Sequence, residues 1–398
     1  MPARGELIAM LASQTALSAL AIDTMLPAFD EMRETFGLAP DSNRVALAVT
    51  TFFLGMALGQ MFYGPLADRF GRKPVLYGSL LLYGVCAIGA TVAPTLETLI
   101  VIRFIWGVAA AGPHVVTTAV ARDLYTGDEM ARVLSFVRSV FLIVPVLAPA
   151  LGEALIALGS WQWVFGVGAV LALVVGAWST RLPETLDPER RRPLQFSAMS
   201  GAFREIVHSR RTLGYTAAAT FSLGAFLPWL GSSQLVFDEI YGRPGQFAFW
   251  FALIAAVMSV ASLTAAWLVR RITAATMVRR SMVVFVVQSV LFAVVVGISG
   301  GVPPFGLFLL LIVGAVANLV AVNPSLVSLA MEDMGHIAGT ASAVIGTISY
   351  TGGAILAGLV DGAMSDSLAP MALGFLIYGA GMLAGMVWAG GGEPAIDP

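Results

Sequence analysis

Ionisable side chains lie inside long apolar runs of this sequence, among them Asp23 in AIDTMLPAF, Arg103 and His114 in LIVIRFIWGVAAAGPHVVTTAVARD, and Glu153 in PVLAPALGEALIALG. Ionisable groups are costly in apolar surroundings and mark proton or solute pathways where they occur. Pro27 follows Asp23 by four residues, so a helix there lacks the amide that would bond the Asp23 carbonyl. Carboxylate and freed carbonyl together make a polar spot that can hold a proton or a cationic group. The plainer reading is a carboxylate that reaches water at the outer surface. Arg103 and His114 are eleven residues apart, which returns both to one helical face about 16 Å apart. Gly107, Ala110, Ala111 and Thr118 share that stripe and leave it open for a neighbour or a solute. A buried guanidinium stays charged and calls for an acidic partner, and Asp23 matches Arg103 in depth. His114 reads either as a proton relay or as a hydrogen-bonded packing residue beside Pro113.

Glu153 continues the face of Pro145, Pro149 and Gly152. Each proline frees a carbonyl and kinks its helix, and Gly152 lets a neighbour approach. Packing alone is the alternative for Glu153. Of the uncharged residues in the runs, Phe226, Trp229, Gln234, Asn318 and Asn323 are candidates to line a solute cavity, with helix stapling as the other reading. Three histidines (His114, His208, His336) and one cysteine, scattered along the chain, make no metal site.

A second cluster, GPLADRFGRKP at 64–74, joins two apolar runs and carries Asp68, Arg69, Arg72 and Lys73, the only lysine in the chain. Gly64 would let two helices approach, Gly71 would give a turn with positive φ, and Pro74 suits a first helical turn. A basic cytoplasmic loop explains the cations, but not an aspartate between two glycines.

The elements that must position these residues are membrane helices. Of 398 residues 58% are hydrophobic and 12% charged, half the charge of ordinary soluble domains at roughly 25%. That excludes a soluble enzyme, and the net charge of −2 without a basic block excludes a nucleic-acid binder. Spans of about 20 apolar residues are predicted near 6–29, 44–66, 75–94, 97–120, 133–157, 161–179, 213–235, 247–269, 278–299, 303–325, 338–360 and 368–389. The first is read as a retained span rather than a cleaved signal. The expected fold is thus all-α and integral to the membrane, twelve helices in two six-helix bundles, 1–180 and 213–398. A polar connection, 181–212, lies between them. With both termini inside, 17 of the 22 Lys and Arg residues fall on the cytoplasmic side. Six plus six suggests an internal repeat with a solute site between the halves, although WLVRRITAATMVRRS, the matching joint in the second half, lacks the aspartate and the glycines.

The loop GPLADRFGRKP resembles the signature between helices 2 and 3 of the major facilitator superfamily, G-x-L-A-D-R-x-G-R-[RK]. RFIWGVAAAG is similar to the superfamily's helix 4 motif, with Trp106 where glutamine is common, and PVLAPALG to the helix 5 motif of proton-driven antiporters. VARDLYTGDEMARVLS, WQWVF, LPETL and NPSLVSLAM…AGTASAVIG resemble the bicyclomycin/chloramphenicol-resistance (Bcr/CflA) branch of drug:proton antiporters. The resemblance implies a two-bundle exporter that works by alternating access. It ties Asp23 and Arg103 to proton coupling. It also implies that Asp68 latches the outward-facing state against the start of helix 11, near Gly335–Gly339, with Arg122 as a brace. Glu153 stands where the helix 5 motif usually has a second glycine, and His114 where a small residue is usual.

The expected function is proton-coupled efflux of small amphiphilic compounds; the alternative is a dedicated transporter of one metabolite, a sugar or amino-acid derivative. A membrane enzyme would need a catalytic cluster that the sequence lacks. The expected partners are a drug or metabolite, protons and the bilayer, with no nucleic acid. No cofactor is expected beyond the proton gradient, and the chain is expected to be a monomer in a bacterial inner membrane.

Overall fold

The computed structural model describes residues 2–191 and 196–390, and among them the only regular structure is helical. The α-helices are α1 Arg4–Asp23, α2 Phe29–Thr35, α3 Leu47–Phe70, α4 Arg72–Thr91, α5 Leu96–Leu124, α6 Gly127–Ala157 and α7 Trp163–Trp178 in the first half. The second half has α8 Phe196–His208, α9 Arg210–Leu235, α10 Phe247–Leu268, α11 Ala274–Ile298, α12 Phe305–Ala330, α13 Ala338–Asp361 and α14 Ala369–Gly390. Each of the twelve expected spans coincides with a long helix. Ten of these, counting α1 together with α2, are long and apolar enough to cross a bilayer among the described residues. The other two are α6 and α9. Among the described residues the apolar stretch of α6 is Ile143–Ala157, with Glu153 inside it. In α9, Thr212, Thr216, Ser222, Ser232, Ser233 and Gln234 lower the hydropathy, yet all are buried. That helix hides its polar groups inside protein rather than showing them to lipid.

The chain divides into two compact units, Met1–Gln195 with Gly245–Ala255, and Phe196–Pro244 with Ala256–Pro398. Within the first, α1 packs on α5, α6 and α7, and α4 packs on α5 and α7. Within the second, α9 packs on α12, α13 and α14, and α11 packs on α12 and α14. Counted by span, the second set of neighbours repeats the first, so the internal repeat survives in packing where the residues have diverged.

Small residues set the tightest crossing. A Cβ added at Gly55 of α3 would lie 1.9 Å from the Phe104 carbonyl oxygen of α5, and one at Gly107 would lie 2.0 Å from that of Phe52. Gly59 meets Ala111 in the same way. Gly55-x-x-x-Gly59 is the small-residue spacing by which membrane helices approach closely. Of the two occupants left open for the small-residue stripe of α5, a neighbour or a solute, the neighbour α3 takes the part at Gly107 and Ala111.

One further expectation changes. The connection 181–212 is not all loop, because α8 occupies part of it and buries Ala202 and Ile206 while packing on α13. An alternation of polar and apolar residues in a short segment hid this helix. Helix α6 continues through Pro145 and Pro149; each proline removes one backbone bond, and the helix packs on α1.

Candidate functional site

The first helix ends at Asp23, where Pro27 has no amide to give. The chain then turns through a 3-10 segment, Leu26–Ala28, into α2. Asp23 is 4% exposed, buried at this break. Gly152 of α6 sits against it: a Cβ there would come within 2.3 Å of the Thr24 carbonyl oxygen and 3.1 Å of the Pro27 ring. A Gly152→Ala substitution is expected to push α6 off the break and to cost about 1–3 kcal/mol, the usual penalty of overpacking. Gly64→Ala is expected to be silent. A lower midpoint of thermal unfolding for Gly64→Ala than for Gly152→Ala would contradict this. The reason for the contrast is that Gly64 has nothing within 4 Å, so it marks no helix contact, contrary to expectation.

Arg103 of α5 is fully buried, but Asp23 is not its partner: no ion pair joins them among the described residues. Instead its Nε donates to the Ala48 carbonyl of α3 at 3.1 Å, and its Nη1 donates to the Ala21 carbonyl of α1 at 3.0 Å. The guanidinium lies 4.4 Å from the Phe52 ring centre and 5.1 Å from that of Trp106. Arg103 thus staples three helices through backbone acceptors and aromatic faces. Its Nη2 is buried without a hydrogen-bond partner among the described residues. Depth along a helix predicted a neighbour for Arg103, whereas the rotation of α1 decided that the neighbour is a carbonyl two residues before Asp23.

Glu153 is partly exposed, and its carboxylate accepts a hydrogen bond from the Ala248 backbone in the first turn of α10, where free amides favour an anion. His114 is exposed. Gln14 bridges Thr117 Oγ1 (2.9 Å) and Ser179 Oγ (3.0 Å), a staple across α1, α5 and the end of α7. In the second unit Trp229 is buried against Phe237, Gln234 donates to Asp238 at 2.8 Å, and Asn318 donates to the Ser281 carbonyl at 2.8 Å. Phe226 and Asn323 are partly exposed.

The signature loop is built around Arg72, 7% exposed. Its Nη1 donates to Asp68 at 2.5 Å and its Nε to Asp123 at 2.9 Å. Gly71 has φ +102°, and a Cβ there would lie 2.5 Å from the Glu184 carboxylate. That carboxylate accepts from the Arg72 and Lys73 amides at 2.9 and 3.1 Å, so it caps the start of α4. Lys73 Nζ reaches the Thr180 carbonyl at 3.0 Å, while Arg69 and Arg122 are exposed. At the foot of α5 the residue bonded to Arg72 is Asp123, next to Arg122. Asp123 and Glu184 are the two site residues that the sequence reading missed; the signals were the acid of LPETL and the acid of the Arg-Asp pair ending α5.

The Major Facilitator Superfamily profile matches residues 11–358. The chain belongs to this superfamily. It is a multi-pass membrane transporter. The transporter is 30% identical over 361 residues to a bicyclomycin resistance protein homolog of Haemophilus influenzae, covering 89% of this chain and 88% of that one. It is 31% identical over 219 residues to the multidrug resistance protein MdtL of Salmonella heidelberg, 55% of each chain. Among solved structures it resembles a D-xylose–proton symporter, with TM-score 0.76 at 13% identity over 96% of this chain and 97% of that one. At that identity the likeness speaks for the fold only.

Proposed function

We propose that this transporter exports small amphiphilic compounds in exchange for protons, with Asp23 as the coupling carboxylate. The observation that carries the reading is the state of Asp23: buried at a broken helix end and held by no ion pair among the described residues. Nearby stands a guanidinium whose Nη2 is uncommitted. Drying a carboxylate favours its protonated form, and wetting it releases the proton. When a cationic or polar solute binds, it competes with the proton for the Asp23 carboxylate. Proton and solute then exclude one another, which is what exchange requires. The names of the relatives at 30% and 31% identity support a drug as the solute.

In this reading the energy source is the proton gradient, the membrane is the bacterial inner membrane, both termini are cytoplasmic and the chain works as a monomer. Arg72 with Asp68, Asp123 and Glu184 forms a cytoplasmic latch that steadies one conformer. In everted vesicles with an acid interior, adding compounds from a panel of amphiphilic antibiotics and dyes that includes bicyclomycin is expected to dissipate the gradient. Equal dissipation in vesicles lacking the protein refutes the reading. A response confined to one sugar or amino-acid derivative would mean a dedicated transporter.

A further inference from the structure

A second carboxylate is buried in the other unit. Asp361, the last residue of α13, is 2% exposed and accepts a hydrogen bond from Ser232 Oγ of α9 at 2.6 Å. It fills the space beside Gly231, where an added Cβ would lie 2.7 Å from its Oδ2. Helices α9 and α13 are the counterparts of α1 and α6, and the contact falls at the same level, near the C-terminal ends of both helices. In the first unit α1 carries the carboxylate and α6 the glycine; in the second the two are exchanged. We propose that Asp361 and Ser232 form a second proton-binding site, so that each unit of the transporter carries one. This rests on the proton being the coupling ion.

The chemistry of the pair favours this role. A serine hydroxyl donates to a carboxylate and accepts from a carboxylic acid, so the pair is hydrogen-bonded in both protonation states. Gly362 and Ala363, directly after Asp361 at the end of its helix, are exposed. The groups around the site are few. On α9 the cations Arg210 and Arg211 lie at the opposite end, roughly 30 Å away by helical rise. The turn after it carries Asp238, Glu239 and Tyr241, with Asp238 bonded to Gln234. No residue of α12 titrates. On α14 the one titratable residue is Tyr378; its hydroxyl donates to the Leu356 carbonyl at 2.7 Å and lies within reach of the Asp361 charge. Helix α8 (Arg204, Glu205, His208) and the segment Glu332–Ile337 (Glu332, Asp333, His336) are tied together by the Glu205–His336 contact, at the opposite end of α13.

The test needs no substrate. The whole protein in liposomes is titrated with acid and followed by infrared spectroscopy in the carboxylic-acid carbonyl region. Two carboxylic-acid bands are expected from the buried sites, one lost in Asp23→Asn and the other lost in Asp361→Asn. A spectrum of Asp361→Asn identical to wild type across the titration overturns the proposal. Should that variant not assemble, Ser232→Ala in the otherwise native chain serves: the band that persists in Asp23→Asn is expected to move in frequency, and an unmoved band overturns the site. Loss of drug-driven gradient dissipation would undo the export reading and leave these bands untouched, so the two failures are distinguishable.

Discussion

Asp23→Asn is expected to abolish pH-driven transport, down to the level of vesicles without protein, while the chain still folds and inserts. Asparagine has nearly the same shape and keeps polar atoms at the break after α1, but it has no acidic proton to gain and release. Glu153→Gln is expected to be milder, because the Glu153 carboxylate is partly exposed and its bond to the Ala248 backbone makes it a helix cap. Counterflow without a pH gradient separates coupling from binding. Asp23→Asn is expected to retain it, and loss of counterflow together with pH-driven transport would assign Asp23 to solute binding instead.

Arg103→Ala is expected to be the most destabilising single change in the first unit, by about 3–5 kcal/mol, the range for deleting a large buried side chain. It empties the space against Phe52 and Trp106 and removes two bonds to carbonyls of α1 and α3. Arg103→Lys keeps the charge, but a single ammonium cannot replace a fork that donates to two helices, so most of the loss is expected to remain. The same loss should appear in an Asp23→Asn background, since no ion pair links the two. Restoration of stability in the double variant would show that they pair after all, and the unfolding midpoint in detergent is the readout.

Much of the fold was legible because lipid imposes one solution: every backbone polar group satisfied within a helix. Runs of apolar residues therefore located the helices. The break after Asp23 was legible too, since proline acts through its missing amide whatever surrounds it. Three things were not. Helix α8 follows a polar connection and gains its stability from Ala202 and Ile206 against α13, a contact invisible in local composition. Asp361 falls one residue beyond the predicted end of its span, and only the folded chain shows Ser232 and Gly231 against it. The partners of Arg103 depended on helix rotation, and sequence spacing gives the face of one helix without saying which neighbour it meets. In the signature loop the residue types were readable, but the cap supplied by Glu184 comes from 112 positions away and required the folded chain.

The central claim is that Asp23 holds the proton that a bound solute displaces. Its most direct test is the proton count on binding, read in weakly buffered detergent with a pH indicator when a compound found active in the vesicle panel is added to the pure protein. Release of protons by wild type that disappears in Asp23→Asn, with binding retained, is the predicted result. Undiminished release from Asp23→Asn would contradict the account and place the displaced proton on another group.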